Sequence, residues 1–445
     1  MKIRTDFSKA IGAIKPMHGV GQPPFTGGDF SMFHYLEEAG IPYSRLHDVG
    51  GPFGGNLYAD IPNLFRDFDA DPYDPASYDF VFTDRLIEQL MEVHCEPFFR
   101  LGVTIENSQA LKAYRVFPPK DPAKWAVICE HVIRHYNEGW ANGYHYNIRY
   151  WEIWNEPDDC YTVETSYMWR GTPAQFYELY DVASKHLKQC FGDSISVGGY
   201  ASIGFGAYRN YPDLGDIGRK CTCFEEFFFE FLDGFLRYIK EHGSPLDFFS
   251  WHTYADVKIA LRHAEVCREI LNRYGFADTP DILNEWNPNP VEIKLRKSNI
   301  PAAKVLAIML GMQHRSPSVL CYYDARIGPS VYGGLFNPDS WEPYPAYYSF
   351  RAFNEAYRLE NEVVCEGDDP DVFLLAARRN GEAVLLIANI GEQKECRLEF
   401  AGADAQITSV RTTDADRTYA EAEPPRDDVL SLPPFSCHEI HLKLT

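Results

Sequence analysis

At 445 residues the chain is too long for a single core of ordinary size and implies one large unit with a smaller companion. The apolar fraction of 45% suits a packed protein, and the 28 Tyr, 30 Phe and 8 Trp supply rings for a large core. A formal net charge of −22 repels phosphate backbones and anionic headgroups and leaves no basic stripe, which excludes nucleic acid and membrane surfaces as partners and favours neutral or cationic ligands. The N-terminal MKIRTDFSKAIGAI has neither a continuous apolar stretch nor a small-residue cleavage site, so the expectation is a cytoplasmic protein. Eleven Cys, odd in number and scattered, fit reduced thiols, and Cys221 and Cys223 stand too close for the usual zinc pair; no metal or other cofactor is expected.

From residue 11 to 355, short β-branched or aromatic runs alternate with stretches of helical period, the pattern of βα units on a parallel sheet. In chain order the expected strands are IGAI (11–14), PYSRLH (42–47), EPFFRLG (96–102), IRYWEIWN (148–155), ISVGGY (195–200), DFFSWHTY (247–254), DILNEW (281–286) and VLCYYDA (319–325). Eight strands favour a closed (β/α)8 TIM barrel, an α/β fold. Between them FTDRLIEQLMEVH, AKWAVICEHVIRHYNEG, AQFYELYDVASKHLKQ and EFFFEFLDGFLRYIKEHG carry apolar residues at three- and four-residue spacing, as outer helices should. An open doubly wound sheet would need a glycine-rich phosphate turn, and HDVGGPFGGN has neither the dinucleotide spacing nor a P-loop lysine. Beyond residue 355 short strands such as VFLLAARR, AVLLIANI and CHEIHLKL, with a turn at Asn380-Gly381, predict a C-terminal antiparallel β-sandwich over 356–445, which residues 1–10 join with a strand. A unit that small should dock onto the barrel.

Two glutamates end barrel strands: Glu156 in RYWEIWNEPD and Glu285 in DILNEWNPNP, 129 residues apart and on strands four and seven. Each precedes a proline, Pro157 or Pro288, that helps stop the strand. Glycoside hydrolysis with retention needs two carboxyl groups about 5 Å apart, one protonated and one ionised, and a barrel presents such groups at the C-terminal ends of its strands. Burial beside Trp154 and Trp286 would disfavour the charged form of one of them. Arg45 and Tyr254, two residues from His47 and His252, share their inward parity; Arg45 is expected to pair with a catalytic Glu and Tyr254 to hydrogen-bond the nucleophile.

Trp154-Asn155-Glu156-Pro157 and Asn284-Glu285-Trp286-Asn287, together with IPYSRLHD, FRLG, FPPKDPAKW and DFFSWHTY in the same order, resemble glycoside hydrolase family 39, the family of β-xylosidases and α-L-iduronidases. The resemblance implies Glu156 as general acid/base and Glu285 as nucleophile. It further implies that Asn155 binds the hydroxyl next to the anomeric carbon and that His47 and His252 line the glycone pocket. It also suggests a homo-oligomer. Strand eight departs from the xylosidase pattern: Cys321-Tyr322-Tyr323-Asp324-Ala325-Arg326 stands where a Trp-bearing segment is expected, so Trp341 from the following loop is expected to supply the ring and Asp324 to meet sugar hydroxyls.

The expected activity is that of a retaining exo-glycosidase acting on oligosaccharides or small glycosides, with β-xylosidase as the first choice. Loops from Gly102 to Trp125, from Ile203 to Phe224 with Phe205, Tyr208 and Tyr211, and from Pro329 to Tyr348 with Tyr332, Phe336 and Trp341 are long and aromatic enough to wall a pocket. An arabinofuranosidase, β-galactosidase or β-glucosidase would share the mechanism, and a barrel that only binds carbohydrate would be expected to lack one carboxyl.

Overall fold

The computed structural model describes residues 1–27, 30–49, 59–104, 116–159, 166–203, 205, 223–288, 295–327, 332 and 334–445. The chain runs through β1 (Lys2–Ala13), β2 (Gly19–Gly21), the small hairpin β3 (Thr26–Gly27) and β4 (Phe30–Ser31), α1 (His34–Glu38), β5 (Tyr43–Leu46), α2 (Ile61–Leu64), α3 (Val81–Glu92), β6 (Glu96–Leu101) and α4 (Pro122–Glu138). It continues with β7 (Tyr150–Ile153), α5 (Pro173–Phe191), β8 (Ser196–Ser202), α6 (Cys223–His242), β9 (Phe248–Thr253), α7 (Val257–Arg273), β10 (Asp281–Trp286), α8 (Asn299–Gln313), β11 (Pro317–Tyr323) and α9 (Pro345–Tyr357). Eight more strands follow: β12 (Asn361–Gly367), β13 (Val372–Arg379), β14 (Glu382–Asn389), β15 (Lys394–Ala401), β16 (Ala405–Thr413), β17 (Ala420–Ala422), β18 (Val429–Leu432) and β19 (Ser436–Leu444).

Strands β2, β5, β6, β7, β8, β9, β10 and β11 pair in parallel and close into a barrel, with helices alternating between them. Helix ends follow local chemistry. Asp121 caps α4 by accepting from the Ala123 and Lys124 amides, Pro122 opens the first turn, and Gly139 takes the left-handed conformation that ends it. Thr172 and Gln175 form a reciprocal capping box at the start of α5.

The first barrel strand is Gly19–Gly21 and not IGAI, which forms the end of β1 in the other sheet. A three-residue Gly-Val-Gly strand carries no β pattern. The glycine is required by packing, since a Cβ on Gly19 would stand 2.5 Å from the Leu320 carbonyl oxygen. The C-terminal strands build one nine-stranded sheet in the order β17-β16-β19-β14-β13-β12-β1-β15-β18. β1 pairs antiparallel with β12 and parallel with β15, so the sheet is mixed where the sequence suggested a purely antiparallel one. In β14 period-two alternation sends Ala383, Leu385 and Ile387 into the sheet's own core, while Val384, Leu386 and Ala388 join the barrel's. Helix α8, NIPAAKVLAIMLGMQ, is apolar all round because it lies between the two, touching β11 on one side and β13, β14 and β19 on the other. Among the described residues no helix is long and apolar enough to cross a membrane.

Candidate active site

Inward-facing residues of the barrel form layers. The lowest holds Phe98, Phe248, Ile282 and Val319, with Tyr43 and Tyr150 packed against them. Two residues further along the same strands, parity places Arg45, Arg100, Glu152, Ser250, Asn284 and Cys321, all buried. This second layer is polar, and such a layer survives burial only when its charges are paired.

Its pairing is extensive. The Arg45 Nε and Nη2 reach Glu152 Oε2 at 2.8 and 2.7 Å, Nη1 donates to Glu285 Oε2 at 3.0 Å, and Nη2 donates to Asn155 Oδ1 at 2.6 Å. Glu152 Oε1 accepts from Ser250 Oγ and from Asn284 Nδ2. Glu285 is adjacent in sequence to Asn284, yet both reach the barrel interior, because the β10/β9 register skips a residue between Leu283 and Glu285. That β-bulge turns Glu285 inward beside its neighbour.

Glu156 lies just past β7, where Trp154 (φ 73°) and Glu156 (φ 45°) both hold left-handed backbone conformations that non-glycine residues rarely adopt. The Glu156 amide donates to the Ala201 carbonyl and fixes the turn. An oxygen of Glu156, a ring nitrogen of His252 and an oxygen of Glu285 all lie within 4.8 Å of one another. His252 Nδ1 is 2.6 Å from Glu156 Oε1 and 3.7 Å from Glu285 Oε2, and the Tyr254 hydroxyl donates to Glu285 Oε1.

Burial disfavours charge on both carboxyls, but unequally. Glu156 is held well above the usual carboxylate range, first by desolvation and then by Asp159 and Asp158. Glu285 is also raised by desolvation, against which Arg45 and the Tyr254 hydroxyl favour its ionised form. His252 is pushed down to about 4 by burial and is neutral at ordinary pH. A coupled pair of this kind titrates in two steps, and the guanidinium on Glu285 puts the first ionisation there and leaves the proton on Glu156.

The structure thus brings together Glu156, Glu285, Asn155, Arg45, His252 and Tyr254. His47 is buried at the end of β5, 3.4 Å from Asp48 and out of contact with both carboxylates. Asp324 is buried past β11 with neither carboxylate oxygen hydrogen-bonded; Arg326 stands 3.7 Å away, and burial raises the group to about 7. Trp341 is 38% exposed and lies with Phe25 and Phe30 in a trio of rings 5.1 to 6.1 Å apart, away from the carboxylates' contacts. The tryptophans beside the glutamates point elsewhere: Trp154 packs on Trp125 and Trp169, and Trp286 on Tyr322, in the shell between strands and helices. Each shares the parity of an inward residue two positions earlier, Glu152 or Asn284, and is turned outward where alternation breaks, at the left-handed backbone of Trp154 and at the bulge before Glu285. Of the loop aromatics, Tyr332 packs on Tyr254 and Tyr323, Phe205 and Phe336 are buried in the core, and Tyr208 and Tyr211 lie outside the described residues.

Sequence reading passed over Glu152, Ser250, Asn284 and Gln22. The first was legible, since it shares inward parity with Tyr150 in YWEIWNE. Gln22, at the end of β2 with φ 56°, is buried with both side-chain polar atoms lacking a protein partner, as are Asn155 Nδ2 and His47 Nδ1. Among the described residues two clusters carry donors close enough to hold a cation, Glu156/His252/Glu285 and Glu130/His186/Cys190. In each a guanidinium already occupies a carboxylate: Arg45 on Glu285, and Arg134 on Glu130 at 2.7 Å.

The family model for glycosyl hydrolases family 39 matches residues 31–322, a span that holds both glutamates, six of the eight barrel strands and all but the last residue of a seventh. The chain belongs to glycosyl hydrolase family 39. The family is one of glycoside hydrolases. The chain is 25% identical over 227 residues to a beta-xylosidase of Geobacillus stearothermophilus, a match that covers 49% of this chain and 37% of that relative. Its fold is like that of a glucosidase from Croceicoccus marinus (TM-score 0.78, 19% identity, 99% of this chain and 98% of that one). It is likewise similar to a monomeric beta-xylosidase from Caulobacter crescentus (TM-score 0.70, 18% identity, 99% of each chain).

Proposed function

We propose that this family 39 hydrolase is a retaining exo-glycosidase, with Glu285 as nucleophile, Glu156 as acid/base and a terminal β-linked xylose as its preferred glycone. The observation that carries the mechanism is the closeness of the two carboxyls, within 4.8 Å at their nearest oxygens. Retention uses carboxyls about 5 Å apart, whereas inversion needs about 6.5 to 9.5 Å to admit a water.

In the first step Glu285 attacks the anomeric carbon while Glu156 gives its proton to the leaving oxygen, and the glycosidic bond breaks as the ester to Glu285 forms. Esterification removes the charge on Glu285, so Arg45 then favours ionised Glu156, which becomes the base that takes a proton from the incoming water. Arg45 and Tyr254 orient the nucleophile, and Asn155 Nδ2, His47 and Gln22 offer hydrogen bonds to sugar hydroxyls. Exo action is supported by Tyr332, which packs on Tyr254 at one side of the carboxyls. The xylose assignment rests on the partial likeness to a beta-xylosidase.

The test is to digest xylo-oligosaccharides, soluble xylan and aryl glycosides of xylose, arabinose, galactose and glucose, following the first product. Release of xylose from chain ends is expected. Random shortening of xylan would remove the exo assignment, and cleavage confined to another sugar would remove the pentose.

A further inference from the structure

Glu152 is fully buried one layer below the two mouth carboxyls, and four donor contacts converge on it: two from Arg45, one from Ser250 and one from Asn284. A carboxylate that only filled space there would be expensive, since burying a charge is unfavourable unless it is paired. It is paired with the same guanidinium that touches Glu285. One positive charge therefore serves two carboxylates, and the third carboxyl, Glu156, faces that assembly without a guanidinium of its own.

We propose that Glu152 is a positioning residue that shares Arg45 with Glu285 and so sets how much positive charge reaches the two carboxyls at the mouth. The inference rests on the assignment of Glu156 as acid and Glu285 as nucleophile. With Glu152 ionised, the Arg45–Glu152 pair is close to neutral as seen from the mouth, which lets Glu156 keep its proton and leaves Glu285 basic enough to attack. The other groups around these carboxyls do not supply that balance. On β9 His252 is neutral, and Tyr254, just past it, keeps its proton, held well above its usual range by burial. Asp158 and Asp159 follow Glu156 on its own loop, and both raise it. Arg100 on β6 is paired with Asp60, and burial holds the Cys321 thiol on β11 protonated. Past β11 Asp324, raised to about 7 by burial, also acts on Glu285 and has Arg326 3.7 Å away. Among the described residues Arg45 on β5 is the cation in contact with Glu285, and Glu152 is its largest ionic partner.

The test is the pH profile of kcat/KM for Glu152→Gln on aryl and natural substrates, with thermal melting to establish folding. Losing the negative charge exposes both mouth carboxyls to the whole of Arg45. Both limbs are then expected to move to lower pH, by about one unit: the basic limb because Glu156 loses its proton more easily, the acidic limb because Glu285 holds its charge more easily. Glu152→Asp, which keeps the charge, is expected to lower kcat with both limbs near their wild-type positions. A Glu152→Gln enzyme whose rate falls with limbs unmoved would overturn the proposal and leave Glu152 a packing residue. Limbs displaced in Glu152→Asp would overturn it too, even if the Gln variant does not fold. Glu156→Ala on an activated aryl glycoside separates this from the assignment beneath it: that variant should lack the basic limb, and a limb that persists there means the acid is misassigned.

Discussion

At the level of single residues the account turns on an asymmetry between two buried carboxyls. Glu285 accepts from Arg45 and Tyr254, whereas Glu156 meets a neutral imidazole and two aspartates. The consequence is a paired expectation. Glu285→Ala should lose turnover on every substrate, by at least about 10⁴-fold, because among the described residues the other carboxyl beside it, Glu156, is the proton donor and not a second nucleophile, and azide should restore a product of inverted configuration. Glu156→Ala should still release a good leaving group such as dinitrophenolate in the first step, while glycosides with poor leaving groups slow by about 10² to 10⁴-fold. Rates and product configuration on the two kinds of substrate check both assignments. Equal losses for Glu156→Ala across leaving groups would contradict its role.

At the level of elements, the features hardest to read from sequence are those set by neighbouring strands. Gly19-Val20-Gly21 has no alternation to detect; it is a strand because Leu320 and Tyr43 carbonyls close on Gly19 from both sides. Gly19→Ala would force backbone apart at the seam where β2 joins β11, and is expected to cost about 1 to 3 kcal/mol, as overpacking does. Urea unfolding at constant m-value measures it, and an unchanged midpoint would mean the seam yields freely. The bulge before Glu285 is a register event between β10 and β9, invisible in DILNEW itself. Parity, by contrast, is local: it set Arg45 with His47 and Tyr254 with His252, and Arg45 and Tyr254 both contact Glu285. The same rule gives Trp154 the inward parity of Glu152 and Trp286 that of Asn284; the left-handed backbone at Trp154 and the bulge before Glu285 break the alternation and turn both rings outward, so the carboxyls are desolvated by the barrel interior and not by those rings.

At the level of the whole molecule, the alternation of short strands and amphipathic helices made the barrel legible, and the run of short strands after residue 355 made the second sheet legible. What was not legible is how the N-terminus enters it: β1 is flanked by β12 and β15, with paired residues 348 to 395 positions away. The sheet meets the barrel through α8 and α9, so the scaffold that holds the carboxyl pair is braced on that side. A rigid barrel fixes the distance between Glu156 and Glu285, and that distance carries the mechanism. The most direct measurement is proton NMR of the sugar released from an aryl β-xyloside, or from whichever aryl glycoside is cleaved fastest, recorded before mutarotation. The account predicts a first product with the same anomeric configuration as the substrate; a first product of opposite configuration would contradict it.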